Sequence, residues 1–585
     1  MDAQPLSPPS LPAVLAIKAP RGGWIGTLLY GENVDRTAKA RARVGLAILA
    51  FTLVYAAIAA RLVMFAVAPE SHFTQRGTTR DAVATARPDI LDRNGMILAT
   101  DVRAPSLFAE PRKIIDVDES TELLTAVLPD LDATEVRDRL GSRKGFVWLK
   151  REITPKQRGE IYKLGLPGVG FLAENKRVYP NAAEVSHLIG HVNIDNQGIA
   201  GIEKWVDGHG LQALHLAGLA SDRLQKPVEL AVDLRVQHAL RDELIFAAEK
   251  FKVKAAAGLV VDVETGEIVS MVSLPDYDPN SPKQANDPMR INRLTTGVYE
   301  LGSTFKALTL AMAFDSGKVG LNSTFDAHGP MHYGRFTIHD DHAQNRLLTV
   351  PEIFTYSSNI GAARIALSMG VEYHKWFLKK MGLLDRLRTE LPESAMPIVP
   401  KHWGELNTVT IAFGHGLSVA PLQAVAAINA LVNGGYLIPP TFMKRTKEEA
   451  MKLAKVVIKP ETSEKMRYVM RLNAEKGTAT RANVPGYYVG GKTGTSEKVI
   501  GGRYSHSRLL NTFTAILPAD KPRYQLMIIL DEPQPLPETY GFATSGWNAV
   551  PTAGRVIARI APMLGVAPRF DLPPADQLIL AKVRQ

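Results

Sequence analysis

The 585-residue sequence contains no cysteine, so disulfide bonds and thiolate metal sites are excluded. An oxidising, extracytoplasmic environment would therefore do the chain no harm. The sequence also lacks solenoid repeats, low-complexity tracts and any aromatic-basic module typical of nucleic-acid binding. Its net charge of +10 comes from basic residues spread along the chain. That distribution suits an anionic membrane surface or an anionic polymer, and we expect no nucleic-acid partner.

One long apolar run stands near the N-terminus. Residues 44–60 carry no charge, and a second apolar stretch follows Arg61 as far as Ala68. A helix over residues 44–68 would span about 38 Å, against a hydrocarbon core of about 30 Å. Pro69 would follow the small-residue site that ends at Ala68 and should block signal peptidase, so we expect an uncleaved anchor.

The orientation of this anchor follows from its flanking charges. The closely preceding basic residues are Arg36, Lys39, Arg41 and Arg43. Fewer basic residues follow the run, so the positive-inside rule places the N-terminus in the cytoplasm. We therefore expect a cytoplasmic tail (1–43), a single-pass transmembrane anchor (44–68) and an extracytoplasmic remainder.

Residues 69–226, here called the pedestal, show no nucleophile–base pair. Ala86–Thr100 predicts a β-hairpin around the Asn94-Gly95 turn. The acidic stretch near Asp116–Asp138 is helical in pattern. We expect an elongated, mostly-β or α+β domain without chemistry of its own.

Residues 227–565 predict a second, α+β domain, followed by a C-terminal tail over 566–585. The expected elements are a helix capped by Asp233, a hairpin over Ala255–Ser273, strands over Thr512–Pro518 and Tyr524–Pro533, and a helix over Thr552–Leu564. Strands at both ends with helices between them indicate one antiparallel sheet flanked by helices.

Three short motifs in this domain carry the chemistry: Ser303-Thr304-Phe305-Lys306, Ser357-Ser358-Asn359 and Lys492-Thr493-Gly494-Thr495. Ser303 and Lys306 are three residues apart at the start of an apolar helix, so they share one face. A serine hydroxyl needs an adjacent base, and a lysine can serve only if burial or a nearby cation lowers its pKa. The pattern predicts Ser303 as nucleophile and Lys306 as base.

Lys492 is the expected second cation. We predict a strand over Tyr487–Val489 that leads into it. The backbone N–H groups of Ser303 and Thr495 would hold a developing oxyanion, and the hydroxyls of Thr493 and Thr495 would recognise a substrate carboxylate.

The second motif should lie at a helix start. Ser357 would relay a proton to a leaving amine, and Asn359 would hold Lys306 and the substrate amide.

These motifs, in this order and spacing, resemble the penicillin-binding, penicilloyl-serine transferase family. The likeness extends over roughly Ala86–Leu564 and includes Asp262–Asn280, Phe413–Gln423, Asn433–Gly435 and Gly477–Thr495. Arg87–Ala99 and Arg177–Lys204 resemble the pedestal of class B members, in particular the division-specific type. Leu301 replaces a usual proline, and Pro88 replaces a usual glycine.

The resemblance implies a serine D,D-transpeptidase that cross-links peptidoglycan stem peptides at the septum, without cofactor or metal, and that β-lactams acylate. It implies an inner-membrane protein with a periplasmic catalytic domain. Its expected partners are glycan strands, a membrane glycan polymerase of the SEDS type (FtsW-like) and other divisome proteins. Gly494, with Thr493 and Thr495, would belong to the substrate-binding strand.

Alternatives stay open from the sequence. An elongation-type class B transpeptidase shares the motifs, and so does a membrane-anchored serine β-lactamase or carboxypeptidase, for which Glu390 and Glu393 are candidate deacylating groups. A silent scaffold or β-lactam sensor is disfavoured by the intact motifs. In the pedestal, Arg87, Arg177 and Glu203 predict structural ion pairing. His187, His191 and Asp195 are read as polar or surface residues, not as a metal site.

Overall fold

The computed structural model describes residues 36–67, 86–208, 226–334 and 336–578. The chain divides into two units, residues 1–81 and 82–585. Several predicted segments lie outside the described residues: most of the cytoplasmic tail, residues 69–85 and 209–225 of the pedestal, and the last residues of the C-terminal tail.

In the first unit, the described residues form one helix, α1 (Arg36–Val67). It contains the predicted anchor up to Val67 and also the basic stretch that precedes it. Among the residues that the structure describes, no helix combines the length and the hydropathy that a bilayer crossing requires. The predicted span over 44–68 is therefore not supported there.

The pedestal combines a small sheet with short helices. Its strands are β1 (Ile90–Leu91), β2 (Ile97–Ala109), β3 (Val147–Lys150) and β4 (Val169–Val178), and its helices are α2 (Val117–Val127), α3 (Ala133–Leu140), α4 (Pro155–Lys163), α5 (Ser186–Ile189) and α6 (Gly201–Val206). The hairpin between β1 and β2 forms as predicted, because Asp92 Oδ1 accepts the N–H groups of Asn94 and Met96, each at 2.8 Å.

The pedestal sheet is held by its longest strand. β2 pairs antiparallel with β4 from Thr100 opposite Val178 to Ala109 opposite Val169. The acidic stretch predicted as helical forms α2 and α3, separated by a short turn, and Asp116 caps α2 by accepting the Asp118 N–H at 2.9 Å. These helices cover a small apolar core of their own.

The second predicted domain (residues 227–565), here called the catalytic domain because it carries the three motifs, follows the pedestal. Its strands are β5 (Val228–Glu229), β6 (Ala255–Asp262), β7 (Ile268–Leu274), β8 (Thr324–Asp326), β9 (Met331–Tyr333), β10 (Phe336–Ile338), β11 (Leu347–Thr349), β12 (Tyr436–Leu437), β13 (Lys455–Val456), β14 (Gly490–Ile500), β15 (Arg503–Leu517) and β16 (Tyr524–Asp531). Its helices are α7 (Leu234–Lys250), α8 (Lys306–Asp315), α9 (Val350–Thr355), α10 (Asn359–Met369), α11 (Val371–Lys380), α12 (Glu405–Ala412), α13 (Pro421–Val432), α14 (Lys447–Leu453), α15 (Pro460–Lys476) and α16 (Ala549–Met563). A last helix, α17 (Ala575–Leu578), lies in the C-terminal tail.

One five-stranded sheet organises this domain, in the order β14-β15-β16-β6-β7 with antiparallel pairing throughout. Both ends of the domain contribute strands, as the sequence predicts. Every residue of β6, β7 and β16 is buried, because helices cover both faces of the sheet. α7, which Asp233 caps, and α16 cover one face, and the helical insert covers the other.

The prediction of a strand over Tyr487–Val489 is wrong. β14 begins only at Gly490 and contains the third motif itself. Tyr488 has φ +47°, outside the extended region, because its ring packs 4.2 Å beneath the Arg471 guanidinium. Arg471 also donates to the Val489 carbonyl oxygen at 2.8 Å. A side chain, and not a neighbouring strand, therefore binds this carbonyl group.

Pedestal and catalytic domain share backbone pairing at their junction. β1 pairs in parallel with β5 at the entrance to the catalytic domain. Asn280 bonds both backbone groups of Tyr179 at 2.9 Å, which ties the end of β4 to the loop after β7. Within the second unit, backbone and side-chain hydrogen bonds therefore join the pedestal to the catalytic domain.

Candidate active site

The first motif begins in a tight turn, not in the helix itself. A 3₁₀ turn over Gly302–Phe305 carries Ser303, and α8 starts at Lys306. Gly302 has φ +54°, and a Cβ there would come within 2.7 Å of the Thr495 carbonyl oxygen. The sequence needs glycine at this position because the nucleophile turn lies directly against the backbone of β14.

Lys306 is fully buried and lies at the centre of the site. Its Nζ is 2.8 Å from Ser303 Oγ, 2.7 Å from Asn359 Oδ1 and 2.5 Å from the Ser357 carbonyl oxygen. Burial lowers the pKa of Lys306 to about 7, although nearby carboxylates act in the opposite direction. An amine in this state can accept a proton from the serine hydroxyl near neutral pH.

The second motif occupies the turn between α9 and α10. Ser357 has φ +60°, an unusual conformation for a residue with a side chain. Its Oγ lies 3.1 Å from Lys306 Nζ and 2.9 Å from Lys492 Nζ, so one hydroxyl bridges the two lysines. Asn359 is the first residue of α10, which Ser358 caps by accepting the Gly361 N–H at 2.9 Å.

The third motif lies on β14, where Lys492 is also fully buried. Burial, and next the charge of Lys306, hold the pKa of Lys492 well below its usual value. Thr493 Oγ1 lies 2.8 Å from Thr478 Oγ1, and Thr495 Oγ1 accepts the Ser545 N–H at 3.1 Å. A Cβ at Gly494 would meet the Leu301 carbonyl oxygen at 2.3 Å, so this glycine lets the strand contact the nucleophile turn.

The arrangement therefore brings all three motifs together. Two buried lysines and one bridging hydroxyl surround a serine in the turn before α8. Together, the lysines and the hydroxyl can pass a proton in either direction between nucleophile and leaving group. The comparisons with known proteins agree with this geometry. Residues 256–550 match the model of the penicillin-binding protein transpeptidase domain, and residues 82–207 match that of the penicillin-binding protein dimerisation domain. The chain belongs to the penicillin-binding protein transpeptidase family.

Relatives of this family cover most of the chain. The probable peptidoglycan D,D-transpeptidase FtsI of Caulobacter vibrioides is 41% identical over 508 residues, 85% of each chain. The peptidoglycan D,D-transpeptidase FtsI of Escherichia coli K12 is 29% identical over 83% of this chain and 85% of its own. The chain is thus a class B penicillin-binding protein of the FtsI type, and the predicted enzyme class, a peptidoglycan D,D-transpeptidase, is confirmed.

A solved structure shares the fold. The crystal structure of a peptidoglycan synthetase from Bifidobacterium adolescentis superimposes with a TM-score of 0.64 and 24% identity, over 84% of this chain and 98% of that one. The two matched family regions lie inside the predicted pedestal (69–226) and catalytic domain (227–565), whose outer limits stay predictions.

The predicted pedestal residues lie in a network of their own within the dimerisation domain. Glu203 is fully buried, and its two oxygens accept from Arg87 Nε at 2.8 Å and Arg177 Nε at 2.6 Å. Arg87 also donates to Asp207 at 2.6 Å, and Arg177 donates to Asp101 at 3.1 Å. Burial opposes the charge of Arg177, but Glu203 and Asp101 outweigh it and raise its pKa.

The candidate deacylating glutamates have other partners. Glu390 accepts from Thr441 Oγ1 at 2.5 Å and from the Phe442 N–H at 3.0 Å. Glu393 accepts the Gly201 N–H of the pedestal at 3.1 Å. These contacts give both carboxylates structural roles in the described chain and favour the transpeptidase over the β-lactamase interpretation.

His187, His191 and Asp195 contact other side chains. The rings of His187 and His191 lie edge-on to Tyr277, with centroids 5.4 and 5.8 Å away. Asp195 pairs with Arg151 at 2.6 Å.

Sequence reasoning missed several residues that support the site. Asn473 on α15 donates to the Gly491 carbonyl at 2.8 Å and so anchors β14. Thr478 contacts Thr493, and it lies in a segment that the family resemblance includes without giving it a role. Asp340 contacts the second motif from the loop after β10. None of these belongs to a short motif, so only the family segment around Thr478 offered a signal.

Proposed function

We propose that this chain cross-links stem peptides of septal peptidoglycan through an acyl intermediate on Ser303. The observation that carries the proposal is the position of Lys306, fully buried and 2.8 Å from Ser303 Oγ, with its pKa lowered by burial to about 7. A base that is neutral in a substantial fraction of molecules near pH 7, next to a serine in the turn before a helix, is what nucleophilic acyl transfer requires.

In the first half-reaction, Lys306 takes the Ser303 proton and Oγ attacks the carbonyl carbon of the penultimate D-alanine. The backbone N–H groups of Ser303 and Thr495 hold the oxyanion of the tetrahedral intermediate. When the C–N bond breaks, Ser357 gives its proton to the leaving nitrogen of the terminal D-alanine and is reprotonated by a lysine. Lys492 and Lys306 both contact its hydroxyl, so the proton returns without entering solvent.

In the second half-reaction, an amine on a neighbouring stem peptide attacks the acyl-serine. Its proton passes through Ser357 to the lysine pair, and Ser303 recovers its own proton as the ester breaks. Thr493 and Thr495 bind the terminal carboxylate of the donor peptide, and Gly494 keeps β14 close enough for the donor backbone to pair with it. Asn359 orients both Lys306, at 2.7 Å, and the donor amide.

We further propose that the chain acts in cell division at the cytoplasmic membrane, with its N-terminus inside and its catalytic domain outside. The relatives named FtsI support this over an elongation role. A separate glycan polymerase of the SEDS type (FtsW-like) and other divisome proteins would supply and position the strands. β-Lactams would acylate Ser303 in place of the stem peptide. A fluorescent fusion should give a midcell band; an even distribution along the cell side wall would favour elongation.

The decisive test is Ser303→Ala in the full-length protein. Loss of one hydroxyl should abolish covalent labelling by a fluorescent penicillin while the melting temperature stays unchanged. Ser316→Ala, a serine at the other end of α8, is the matched control and should label as the unmodified chain does. Labelling that survives in Ser303→Ala, mapped by mass spectrometry to another residue, would refute the assignment.

A nitrocefin assay separates the transpeptidase from a β-lactamase. We expect hydrolysis to stop after about one equivalent per protein, because no glutamate among those considered lies free to activate a deacylating water. Sustained turnover by the unmodified chain would favour the β-lactamase instead.

A further inference from the structure

Asp340 is tied to the second motif from outside it. It lies half-buried in the loop between β10 and β11. Its Oδ2 accepts the Ser358 hydroxyl at 2.6 Å, and its Oδ1 accepts the Ile360 N–H at 3.0 Å. The neighbouring His339 carbonyl accepts from Asn359 Nδ2 at 2.9 Å. Three consecutive residues of the second motif and of α10 are therefore fastened to one short stretch of loop.

These bonds determine how the motif faces the lysine. Because Asn359 Nδ2 is held by the loop, Asn359 Oδ1 is turned toward Lys306 Nζ, 2.7 Å away. Ser357 precedes the fastened residues in a left-handed conformation, φ +60°. A residue with a side chain keeps such a strained conformation only where its surroundings hold it. The contacts of Asp340 are part of what holds it.

The same carboxylate also acts through its charge. Burial lowers the pKa of Lys306 to about 7. The charges of Asp340 and, to a smaller extent, Asp341 act in the opposite direction and raise this pKa. Among the residues that the structure describes, Lys492 and His415 also interact electrostatically with Lys306, and burial lowers the pKa of each. Asp340 alone among these groups both contacts the second motif and carries a compensating negative charge.

We propose that Asp340 is a positioning residue of the acylation step, which holds Ser357 and Asn359 against Lys306 and keeps a negative charge beside the buried lysine pair. The proposal rests on the function proposed above, since it requires Lys306 to act as the base. It assigns to a loop residue outside all three motifs a part in setting the pH range of the enzyme.

The test is the pH dependence of penicillin acylation in the full-length protein. Asp340→Asn keeps an acceptor for the Ile360 N–H but removes the charge. Lys306 should then lose its proton more easily, and the rise of the acylation rate with pH should move toward acid by roughly 0.5–1 pH units. Asp340→Ala also releases the motif and should slow acylation about ten- to a hundredfold across the pH range.

Two further variants keep the result interpretable. Asp341→Asn removes the neighbouring charge, so it should shift the profile toward acid without the loss expected of Asp340→Ala, even if a variant at Asp340 folds poorly. Asp326→Asn makes the same chemical change on β8, where Asp326 pairs with Arg364 and His328, and should leave the profile unchanged.

Profiles of Asp340→Asn and Asp341→Asn that superimpose on that of the unmodified chain would overturn the proposal. A normal acylation rate in folded Asp340→Ala would also overturn it. Failure of the proposed function looks different, because the unmodified chain would then not be labelled at Ser303 at any pH.

Discussion

Two regions of this molecule bury a pair of cationic side chains, and they treat the charges in opposite ways. In the active site, Lys306 and Lys492 are both 0% exposed, and no carboxylate in the described chain forms an ion pair with either. In the pedestal, Arg87 and Arg177 are also buried, but Glu203 lies between them and accepts from both. The first pair is bound by hydroxyl, amide and carbonyl oxygens, the second by full negative charge.

This difference distinguishes a catalytic pair of cations from a structural one. A buried lysine without a counter-ion gives up its proton, and it thereby becomes a base. A buried arginine cannot do so in practice, so it must be paired, and its pairing fixes geometry instead. The residue type and the presence of one glutamate thus decide which region can catalyse.

The largest effect is expected when the catalytic lysine is replaced by arginine, the type of residue that the pedestal buries. Lys306→Arg keeps the charge but cannot deprotonate near neutral pH, so acylation by penicillin should fall about 10²–10⁴-fold. Stopped-flow or gel-based acylation rates measure it. In the unmodified chain the rate should rise as pH increases through about 7, where Lys306 loses its proton, and this rise should be absent in the variant. A variant that acylates at the unmodified rate would mean that another group takes the proton.

Removing the counter-ion of the pedestal should act on structure and not on chemistry. Glu203→Ala leaves two buried arginines without their shared partner and should lower the free energy of unfolding of the pedestal by about 3–5 kcal/mol. Hydrogen exchange of pedestal amides reports this loss. Penicillin acylation at Ser303 should stay nearly unchanged, while septal growth in cells is impaired.

Glu203→Gln is the matched control, because it keeps acceptor oxygen and shape and should cost less. If folded Glu203→Ala lost penicillin acylation in proportion to its loss in cells, the pedestal would belong to the active site and the comparison would fail.

The smallest effect is expected at the rim of the same network. The Asp207 side chain is 19% exposed, in contrast to the closed environment of Glu203. Water can replace part of its contact with Arg87, so Asp207→Asn should cost about 1 kcal/mol or less. Denaturant unfolding of Asp207→Asn and Glu203→Ala, measured side by side, compares the free energy of unfolding lost at the rim and at the centre of the network. Equal losses at both positions would show that burial does not determine how much each ion pair contributes to stability.

The sequence predicts the parts of the fold that local patterns specify. The Asn-Gly turn, the cap at Asp233 and the buried strands at both ends of the catalytic domain all form where expected. The strand predicted at Tyr487–Val489 fails because Arg471, sixteen residues before Tyr487 in the chain, packs on Tyr488 and bonds Val489. Apolar and aromatic residues there satisfy the pattern of a strand, but a distant side chain decides the backbone.

The active site shows the same limit. Each motif is short enough to be recognised from the sequence alone. The order and spacing of the three motifs then predict that their residues meet in one site. They do not reveal Asp340 or Asn473, whose roles depend on hydrogen bonds to the second motif and to β14 that only the folded chain creates.

The close contact between the nucleophile turn and β14 has a consequence for adaptation. A Cβ added at Gly302 would come within 2.7 Å of the Thr495 carbonyl oxygen, and one added at Gly494 would come within 2.3 Å of the Leu301 carbonyl oxygen. Selection by a β-lactam cannot reshape the site at either position without separating serine from strand, and with it the native reaction. Changes that lower β-lactam acylation but keep the native reaction must therefore arise at positions other than these two glycines.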